Sequence, residues 1–271
     1  MQIKPINTSE RLSELKRKYV EQKTAPLDGM WLCGFVPMAT HYGFFEGDEL
    51  VGFFCLNEDG YLLQFYVCPS SGDESAILFE TILKVGGPPS GKINGAFAST
   101  AEPQYLSLCL DRFPVFKVNA LMYQLDPRPG DSSDMVPDRT LNLVGMSQLA
   151  EVVDFAKTNI GAPEEWLMGY YTNLIERYEL FTYRHDGRLL ATGESRGYVE
   201  YQEGYADLGV IVDESARGKG VATQVLKELV TLTQEKGLIP ICSTEKENIG
   251  AQKAINHAGF LAQNRIIQFD V

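Results

Sequence analysis

Residues 210–223 read VIVDESARGKGVAT, a continuous apolar run followed by a glycine-containing loop and then by residues that suit a helix. An uninterrupted apolar run is typical of a strand that is buried on both faces. We predict that this strand spans 205–213 and that the loop leads into a helix from about 220 to 236, which Gly237 ends.

The loop of this stretch has the composition of an anion-binding turn. Successive backbone N–H groups of such a turn can point into one concavity, with the positive end of the helix dipole behind them. Gly218 and Gly220 lack the Cβ atoms that would block close approach, and Arg217 and Lys219 add positive charge. The spacing fits neither a Walker loop nor a G-x-G-x-x-G fingerprint. The residues alone leave two interpretations open, a cradle for a pyrophosphate or an ordinary turn whose glycines serve its geometry.

The elements around this stretch predict a complete domain over 138–271. Their apolar patterns follow the order β-α-α-β-β-β-α-β-α-β. The predicted strands are 139–145, 180–184, 188–199, 205–213, 238–244 and 260–271, and the predicted helices are 148–158, 164–176, 220–236 and 248–257.

The first half, 1–125, repeats this order with weaker signals, and its predicted helices are 9–19, 75–85 and 103–110. The sequence also echoes itself, because Ala98-Ser-Thr100 before one helix parallels Cys242-Ser-Thr244 before another. We interpret this as an internal duplication of a roughly 130-residue unit. A chance likeness of two α/β halves is the alternative. Residues 126–137, DPRPGDSSDMVP, have the composition of a linker between the two domains.

The motif Arg217-Gly-Lys-Gly220-Val-Ala222 fits the (Gln/Arg)-x-x-Gly-x-(Gly/Ala) pattern of the GNAT superfamily, the acyl-CoA-dependent N-acetyltransferases. The later Asn248, Ala251 and Gly259-Phe260 also match the family pattern. The chain therefore resembles tandem-GNAT proteins, with 1–125 as a degenerate copy. The resemblance implies an α/β fold of the α+β kind, with two GNAT-like domains. Each would have a mixed, mostly antiparallel sheet flanked by helices.

By this resemblance, acetyl-CoA is the cosubstrate and its pantetheine arm pairs with the backbone of a parted strand. The backbone groups would be those of Val210, Ile211 and Val212, one of which could also polarise the thioester carbonyl. The pyrophosphate would meet the N–H groups of the loop and the following helix. The implied cofactor-binding residues there are Arg217, Gly218, Lys219, Gly220, Val221, Ala222 and Thr223, together with the helix-opening Asn248.

The catalytic residues are less well defined by the sequence. Asp207 in the strand before the loop and Glu194 in the neighbouring strand are the candidates for the general base, and a solvated strand carboxylate is the alternative for each. Many family members carry a tyrosine as general acid seven residues after the helix-opening Asn. Ile255 stands there in this chain and cannot transfer a proton.

Three residues could replace the missing acid: Ser243, Thr244 or His257. Alternatively, the thiolate could leave unassisted, since a thiol pKa of about 8.5 makes it a tolerable leaving group.

Composition narrows the class of partner. The chain has 271 residues, 36 acidic and 24 basic side chains, and a net charge of −12, which disfavours nucleic acid and anionic membranes. The five cysteines are scattered, so we interpret them as reduced residues of a cytoplasmic protein without a signal peptide. The three histidines lie far apart, and we expect no metal site.

The first half lacks the basic loop. Alignment places Gly72–Ile77 opposite the Arg217 motif, so that Asp73 and Glu74 would face a pyrophosphate, and we expect no CoA there. An aromatic cluster in this half could be a ligand surface, but its alternation favours a core; its members are Tyr42, Phe44, Phe45, Phe53, Phe54, Tyr61, Phe65 and Tyr66.

Three functions compete. The first is an acetyl-CoA-dependent N-acetyltransferase that acts on a small primary amine by direct transfer in a ternary complex. The second is a non-catalytic acyl-CoA-binding regulatory protein, which Ile255 keeps open. The third is a tRNA-dependent aminoacyl transferase, against which the acidic composition argues. The sequence indicates neither the acceptor amine nor the oligomeric state.

Overall fold

The computed structural model describes residues 1–69, 75–85, 92–128 and 140–271. It divides into two compact units, unit 1 with Met1–Leu121 and Asn264–Val271, and unit 2 with Met122–Gln263. Most of the predicted linker 126–137 lies outside the described residues. So do Asp73 and Glu74, the two acidic residues of the loop predicted in the first half.

The elements of the first half begin with a short strand and a capped helix, in which Ser9 accepts a hydrogen bond from the N–H of Leu12. A π-helical turn at Trp31–Phe35 precedes the second helix. The strands are β1 (Gln2–Pro5), β2 (Thr40–Glu46), β3 (Glu49–Leu56), β4 (Tyr61–Val67), β5 (Gly95–Ser99) and β6 (Val115–Leu125), and the helices are α1 (Glu10–Glu21), α2 (Val36–Met38), α3 (Ser75–Val85) and α4 (Pro103–Arg112).

The second half follows the predicted order. Its strands are β7 (Leu141–Leu143), β8 (Leu180–His185), β9 (Arg188–Gly197), β10 (Tyr205–Val212), β11 (Ile239–Glu245) and β12 (Phe260–Asp270). Its helices are α5 (Leu149–Ile160), α6 (Glu164–Glu176), α7 (Val221–Glu235) and α8 (Ile249–His257), with short 3-10 turns before α5 and α7.

In unit 1, strands β1 to β4 form an antiparallel meander, and β4 then pairs with β5 in parallel. The end of the chain also belongs to this unit, because β12 runs antiparallel to β5 from Ile266 opposite Ser99 to Asp270 opposite Gly95. The domain boundaries drawn from the sequence differ here, since they placed all of 138–271 in the second domain. Pairing between strands distant in sequence leaves no local signal, which is why the sequence did not indicate it.

In unit 2, β7 to β10 are antiparallel neighbours and β11 joins β10 in parallel. Helices α5 and α6 bury their apolar residues in one cluster with Leu180 of β8 and the half-buried Ile211 of β10. Helix α7 covers the opposite face, where Val225 lies 3.0 Å from the position of a Cβ atom at Gly193.

The core of unit 1 is aromatic, as the alternation in its strands predicts. Six of the eight aromatic residues of the predicted cluster are buried, whereas Phe45 and Tyr61 are half-buried. The interpretation of this cluster as core is confirmed for those six. Within the described ranges, no helix is both long and apolar enough to cross a membrane.

Candidate active site

Strand β10 separates from β11 partway along its length. It pairs with β9 from Ala206 to Val212, but with β11 only from Tyr205 to Asp207. In the described part of the chain, no strand pairs with the opposite edge of β10 beyond Asp207. Val210, Ile211 and Val212 lie in this parted stretch and are half-buried. An extended molecule could therefore form hydrogen bonds with the backbone groups of this edge, as an added strand would.

The loop after β10 reaches α7 through two glycines in the left-handed region. Gly218 has a φ of 74° and Gly220 a φ of 84°, and a Cβ atom on either would meet nothing within 4 Å. Backbone conformation therefore requires glycine at these positions, whatever approaches them. The prediction from the sequence attributed these glycines to close approach of a ligand instead.

The N-terminus of α7 supplies the donors. The first hydrogen bond inside the helix runs from the N–H of Gln224 to the carbonyl of Gly220. The N–H groups of Val221, Ala222 and Thr223 precede this bond and are the orphan donors that every helix start presents. Because the helix has 15 residues, its dipole adds to their attraction for an anion.

Arg217 braces the loop. Its Nη2 atom donates to the carbonyl of Asn159 at 3.0 Å and its Nε atom to the carbonyl of Val212 at 3.2 Å. Asn159 also accepts a hydrogen bond from the N–H of Glu214 through Oδ1, at 3.0 Å. The end of α5 thus holds the loop in place, a contact that sequence reasoning missed. Lys219 is exposed.

The two candidate bases lie on neighbouring strands and on the same face of the sheet. Glu194 of β9 is opposite Gly209, and Arg196 is opposite Asp207. Strand alternation places Glu194, Arg196, Asp207 and Gly209 on one face. Arg196 therefore lies within reach of both carboxylates, 2.7 Å from Asp207 Oδ2 and 3.5 Å from Glu194 Oε2.

Glu194 adjoins the parted stretch of β10, because Gly209 lies beyond the last residue that pairs with β11. Its Oε2 atom accepts a hydrogen bond of 2.6 Å from the hydroxyl of Tyr170 in α6. Arg196 Nη1 donates to the same hydroxyl oxygen at 2.9 Å. Burial, and then the charge of Glu194, raise the pKa of Tyr170 far above its usual range.

Asp207 is the more enclosed carboxylate, with its side chain 1% exposed and its Oδ2 atom bonded to Arg196 Nη2. It is also the last residue of β10 that pairs with β11. Tyr170 and Arg196 complete the cluster, and sequence reasoning did not select either. The alternation of Glu194 and Arg196 in β9 was the one local signal that could have indicated Arg196.

The remaining predicted residues lie on or beside α8. Asn248 caps the helix by accepting a hydrogen bond from the N–H of Ala251 at 3.0 Å. Ile255, at the position of the expected acid, is buried and apolar. Ser243 and Thr244 are half-buried in β11, and His257 is exposed at the end of α8. No cluster of three or more potential metal ligands occurs among residues that the structure describes.

Comparison with known proteins agrees with this architecture. A model described as an acetyltransferase (GNAT) domain matches residues 8–126, and a model of the acetyltransferase (GNAT) family matches residues 149–260. A structure described as an acetyltransferase from the GNAT family of Colwellia psychrerythraea is 49% identical, with a TM-score of 0.93. The match covers 100% of this chain and 99% of that one. The chain therefore belongs to the GNAT acetyltransferase family.

Two more distant structures share the fold. A tandem GNAT protein from the clavulanic acid biosynthesis pathway is 15% identical with a TM-score of 0.62, over 98% of this chain and 97% of that one. A GCN5-related N-acetyltransferase from Sphaerobacter thermophilus is 14% identical with a TM-score of 0.61, over 95% and 90%. No curated protein sequence matches the chain. The predicted family and fold class are thus confirmed.

Proposed function

We propose that the protein transfers the acetyl group of acetyl-CoA to a small primary amine, directly and in a ternary complex. The observation that carries this proposal is the parted stretch of β10. It presents an open backbone edge, it is followed by the loop and helix start that suit a pyrophosphate, and Glu194 lies against it. The segment from β10 to α7 thus offers donor binding, and the neighbouring strand β9 offers a base.

The donor would be held by backbone groups. The edge of Val210, Ile211 and Val212 is positioned to pair with the amides of the pantetheine arm. The N–H groups from Gly218 to Thr223 and the exposed Lys219 would meet the pyrophosphate. The N–H of Arg217 already donates to the carbonyl of Glu214. Asn248 would contribute by fixing the start of α8, which is its observed role.

We assign the general base to Glu194 rather than to Asp207. Glu194 faces Gly209 in the parted stretch and is 3.5 Å from Arg196, whereas Asp207 is held by Arg196 at 2.7 Å. Protonation of Asp207 would break a buried ion pair, which opposes a role in proton transfer. Asp207 then keeps Arg196 in place, and Arg196 and Tyr170 fix the carboxylate of Glu194.

In the reaction, Glu194 accepts a proton from the acceptor ammonium through a water molecule, and the free amine attacks the thioester carbonyl carbon. A backbone N–H of β10 stabilises the oxyanion that develops on the carbonyl oxygen. The carbon–sulfur bond then breaks, the sulfur leaves as a thiolate, and the nitrogen of the new amide loses its remaining extra proton to water. Glu194 releases the proton that it accepted to solvent before the next turnover. Ile255 has no proton to give, and a thiol pKa of about 8.5 allows the thiolate to leave unassisted.

A non-catalytic acyl-CoA sensor is the second candidate, because the buried side chain of Ile255 occupies the place of the acid. Calorimetric titration with acetyl-CoA, followed by an assay of thiol release with a panel of small amines, distinguishes the two. We expect one acetyl-CoA per chain, bound by the second half, and thiol release with at least one amine. Binding without thiol release would favour the sensor, and a failure to bind would refute both.

Glu194→Gln and Asp207→Asn test the assignment of the base. The first should lower kcat by roughly 10²–10⁴ while leaving acetyl-CoA affinity unchanged. The second should lower the kcat of the folded protein much less than the first, because Asp207 acts on Glu194 only through Arg196. The reverse order of effects would reassign the base to Asp207.

A further inference from the structure

An exposed tryptophan lies beside the cluster that contains the candidate base. Trp166 is in the first turn of α6 and is 41% exposed, although tryptophan side chains are on average well buried. The other tryptophan of the chain, Trp31, is only 8% exposed. The indole ring of Trp166 stacks on the ring of Tyr170, with the ring centroids 4.8 Å apart and the planes 11° apart. One part of the indole is therefore covered by Tyr170, and another part faces solvent.

Tyr170 links this exposed ring to the base. Its hydroxyl donates to Glu194 at 2.6 Å and accepts from Arg196 at 2.9 Å, so two hydrogen bonds fix the ring on which Trp166 stacks. The indole is thus supported by a fixed neighbour before any ligand binds. A supported aromatic surface loses little conformational freedom when a second ring packs against it.

The same end of α6 adjoins the loop that we assign to the donor. Only the turn 161–163 separates α6 from α5, and Asn159 near the end of α5 holds the donor loop through Arg217 and Glu214. Trp166 therefore lies in the first turn after the segment that braces the donor loop, and one aromatic ring away from Glu194. An acceptor that reaches Glu194 beside the donor has this exposed ring within reach.

The charged groups around the ring narrow the class of ligand. Arg196 is paired with both Glu194 and Asp207, so two carboxylates compensate its charge. Glu165, the residue before Trp166, is exposed. These four charged groups have a net negative charge, because three carboxylates accompany one guanidinium. They attract an ammonium group, whereas a carboxylate on the ligand would be repelled.

We propose that the acceptor is a primary amine that carries an aromatic ring and no carboxylate, and that its ring packs against the exposed part of Trp166. This inference rests on the proposed function, because it names the class of acceptor for that site. Trp166 determines specificity and takes no part in the chemistry, since it acts on the ring of the acceptor and not on the reacting nitrogen.

Binding is tested with pairs of amines that differ only in the ring. Phenylalkylamines with two, three and four methylene groups are compared with the cyclohexyl amines of the same chain lengths. Each is titrated calorimetrically into the full chain, with and without CoA, which has no acetyl group to transfer. We expect at least one phenylalkylamine to bind about fivefold or more tightly than its cyclohexyl partner, because only the phenyl ring can stack. Phenylalanine, which adds a carboxylate to 2-phenylethylamine, should bind at least about tenfold more weakly than that amine.

Trp166→Leu tests the assigned residue. It keeps an apolar side chain but removes the ring, so the preference for the phenyl amine should fall to less than about twofold. Trp166→Phe keeps a ring and should retain a preference of more than about twofold. Met168→Ala is the matched control, because Met168 is 40% exposed on the same helix but two positions further on, and therefore on the opposite side. It should leave the preference unchanged.

The outcomes separate this inference from the proposed function. A phenyl preference that Trp166→Leu abolishes supports an aromatic amine as the ligand of this site even if no thiol release is detected, in which case only the proposed transfer fails. The inference is overturned if no amine binds, if phenyl and cyclohexyl amines bind equally, if the preference survives in Trp166→Leu, or if phenylalanine binds as tightly as 2-phenylethylamine. Acetyl transfer to amines without any phenyl preference would overturn it and leave the proposed function standing.

Discussion

Glu194 and Gly209 face each other across β9 and β10, and a Cβ atom on Gly209 would lie 3.2 Å from Glu194 Oε2. Because Gly209 has no side chain, it leaves room for the carboxylate that we assign as base. The same position lies 3.6 Å from Arg196 Nη2, so a side chain there would disturb both groups. A Cβ atom at this position would make the Glu194 carboxylate shift by a few tenths of an ångström, whereas glycine at 218 and 220 is favoured by backbone conformation.

Gly209→Ala should lower kcat by about tenfold or more, because the new methyl group displaces Glu194 from the position that Tyr170 fixes. Steady-state kinetics with a fixed acceptor amine measure the effect. Gly204→Ala is the matched control, since a Cβ atom at residue 204 meets nothing within 4 Å. Equal rates for the two variants would show that Glu194 does not act at this position.

Gly220→Asp should weaken acetyl-CoA binding by at least about 100-fold, because it adds a negative charge and a side chain where charge-assisted hydrogen bonds would form. Calorimetric titration of the folded variant measures the loss. Gly237→Asp is the control, because Gly237 has a similar φ of 75° beyond the other end of α7. It should carry a comparable conformational strain but retain affinity. Unchanged affinity in folded Gly220→Asp would contradict the assigned cradle.

Asp207→Asn should destabilise the protein by about 3 kcal/mol, because it removes the nearer of the two carboxylates that pair with the buried Arg196 and leaves that charge less well compensated. Urea unfolding measures the change. Glu151→Gln is the control, because it removes an ion pair with Arg184 on the surface. The side chain of Arg184 is 27% exposed and that of Glu151 is 47% exposed. That control should change stability by no more than about 1 kcal/mol. A similar loss in both variants would indicate that burial of the Asp207 pair has no special role.

Acid should destabilise the protein through His41. Burial lowers the pKa of His41 from 6.5 to about 4, and its Nδ1 atom lies 2.9 Å from the carbonyl oxygen of Ala39. Between pH 4 and 6.5 the unfolded chain binds a proton at this histidine that the folded chain does not, so acid lowers the free energy of unfolding. The stability that depends on neutral His41 is complete above pH 6.5 and is lost as the pH falls toward 4. Below about 4 it changes no further.

Unfolding free energies at pH 4, 5, 6 and 7 measure this contribution. His41→Asn should flatten the fall across that window, because the amide can still donate to Ala39 and does not titrate. His185→Asn is the control, since His185 is exposed, and it should leave the pH dependence as it is. A fall that is equally steep in His41→Asn would assign the acid sensitivity to other groups.

The sequence predicted the elements around the loop closely, because each carries local signals. Helix α6 was predicted at its observed bounds, and β10, α7 and α8 within about one residue at each end. The helical stretch from Trp31 to Met38 was not predicted. Its residues are mostly apolar and include Gly34 and Pro37, so neither helical periodicity nor a cap distinguishes it.

Contacts between distant strands could not be predicted in the same way. The pairing of β12 with β5 joins residues more than 160 positions apart, for example Ile266 and Ser99, and no local pattern specifies such a partner. The same holds for the site: Glu194 and Asp207 were candidates by residue type, but only strand register places Arg196 between them. Tyr170 comes from a separate helix, and nothing in its sequence neighbourhood points to Glu194.

The pH dependence of the reaction tests the missing acid. If no side chain protonates the thiolate, the rate depends only on the base and the amine. The logarithm of kcat/KM for the acetyl donor should then rise with pH and level off, without a falling alkaline limb. Ile255 motivates this expectation, and Ser243 and Thr244 offer only hydroxyls that are far weaker acids than a phenol.

Tyr170 is the phenol whose hydroxyl donates to Glu194, and it should not supply an alkaline limb. Burial and the charge of Glu194 raise its pKa well above the range in which rates can be measured. Its hydroxyl donates to Glu194, so Tyr170→Phe should lower the rate by loosening the base while the shape of the profile stays the same. A bell-shaped profile whose alkaline limb disappears in Tyr170→Phe, Tyr198→Phe or Tyr205→Phe would identify that tyrosine as the acid. Such a result would overturn unassisted departure of the thiolate, because the proton on the leaving sulfur would then come from the protein.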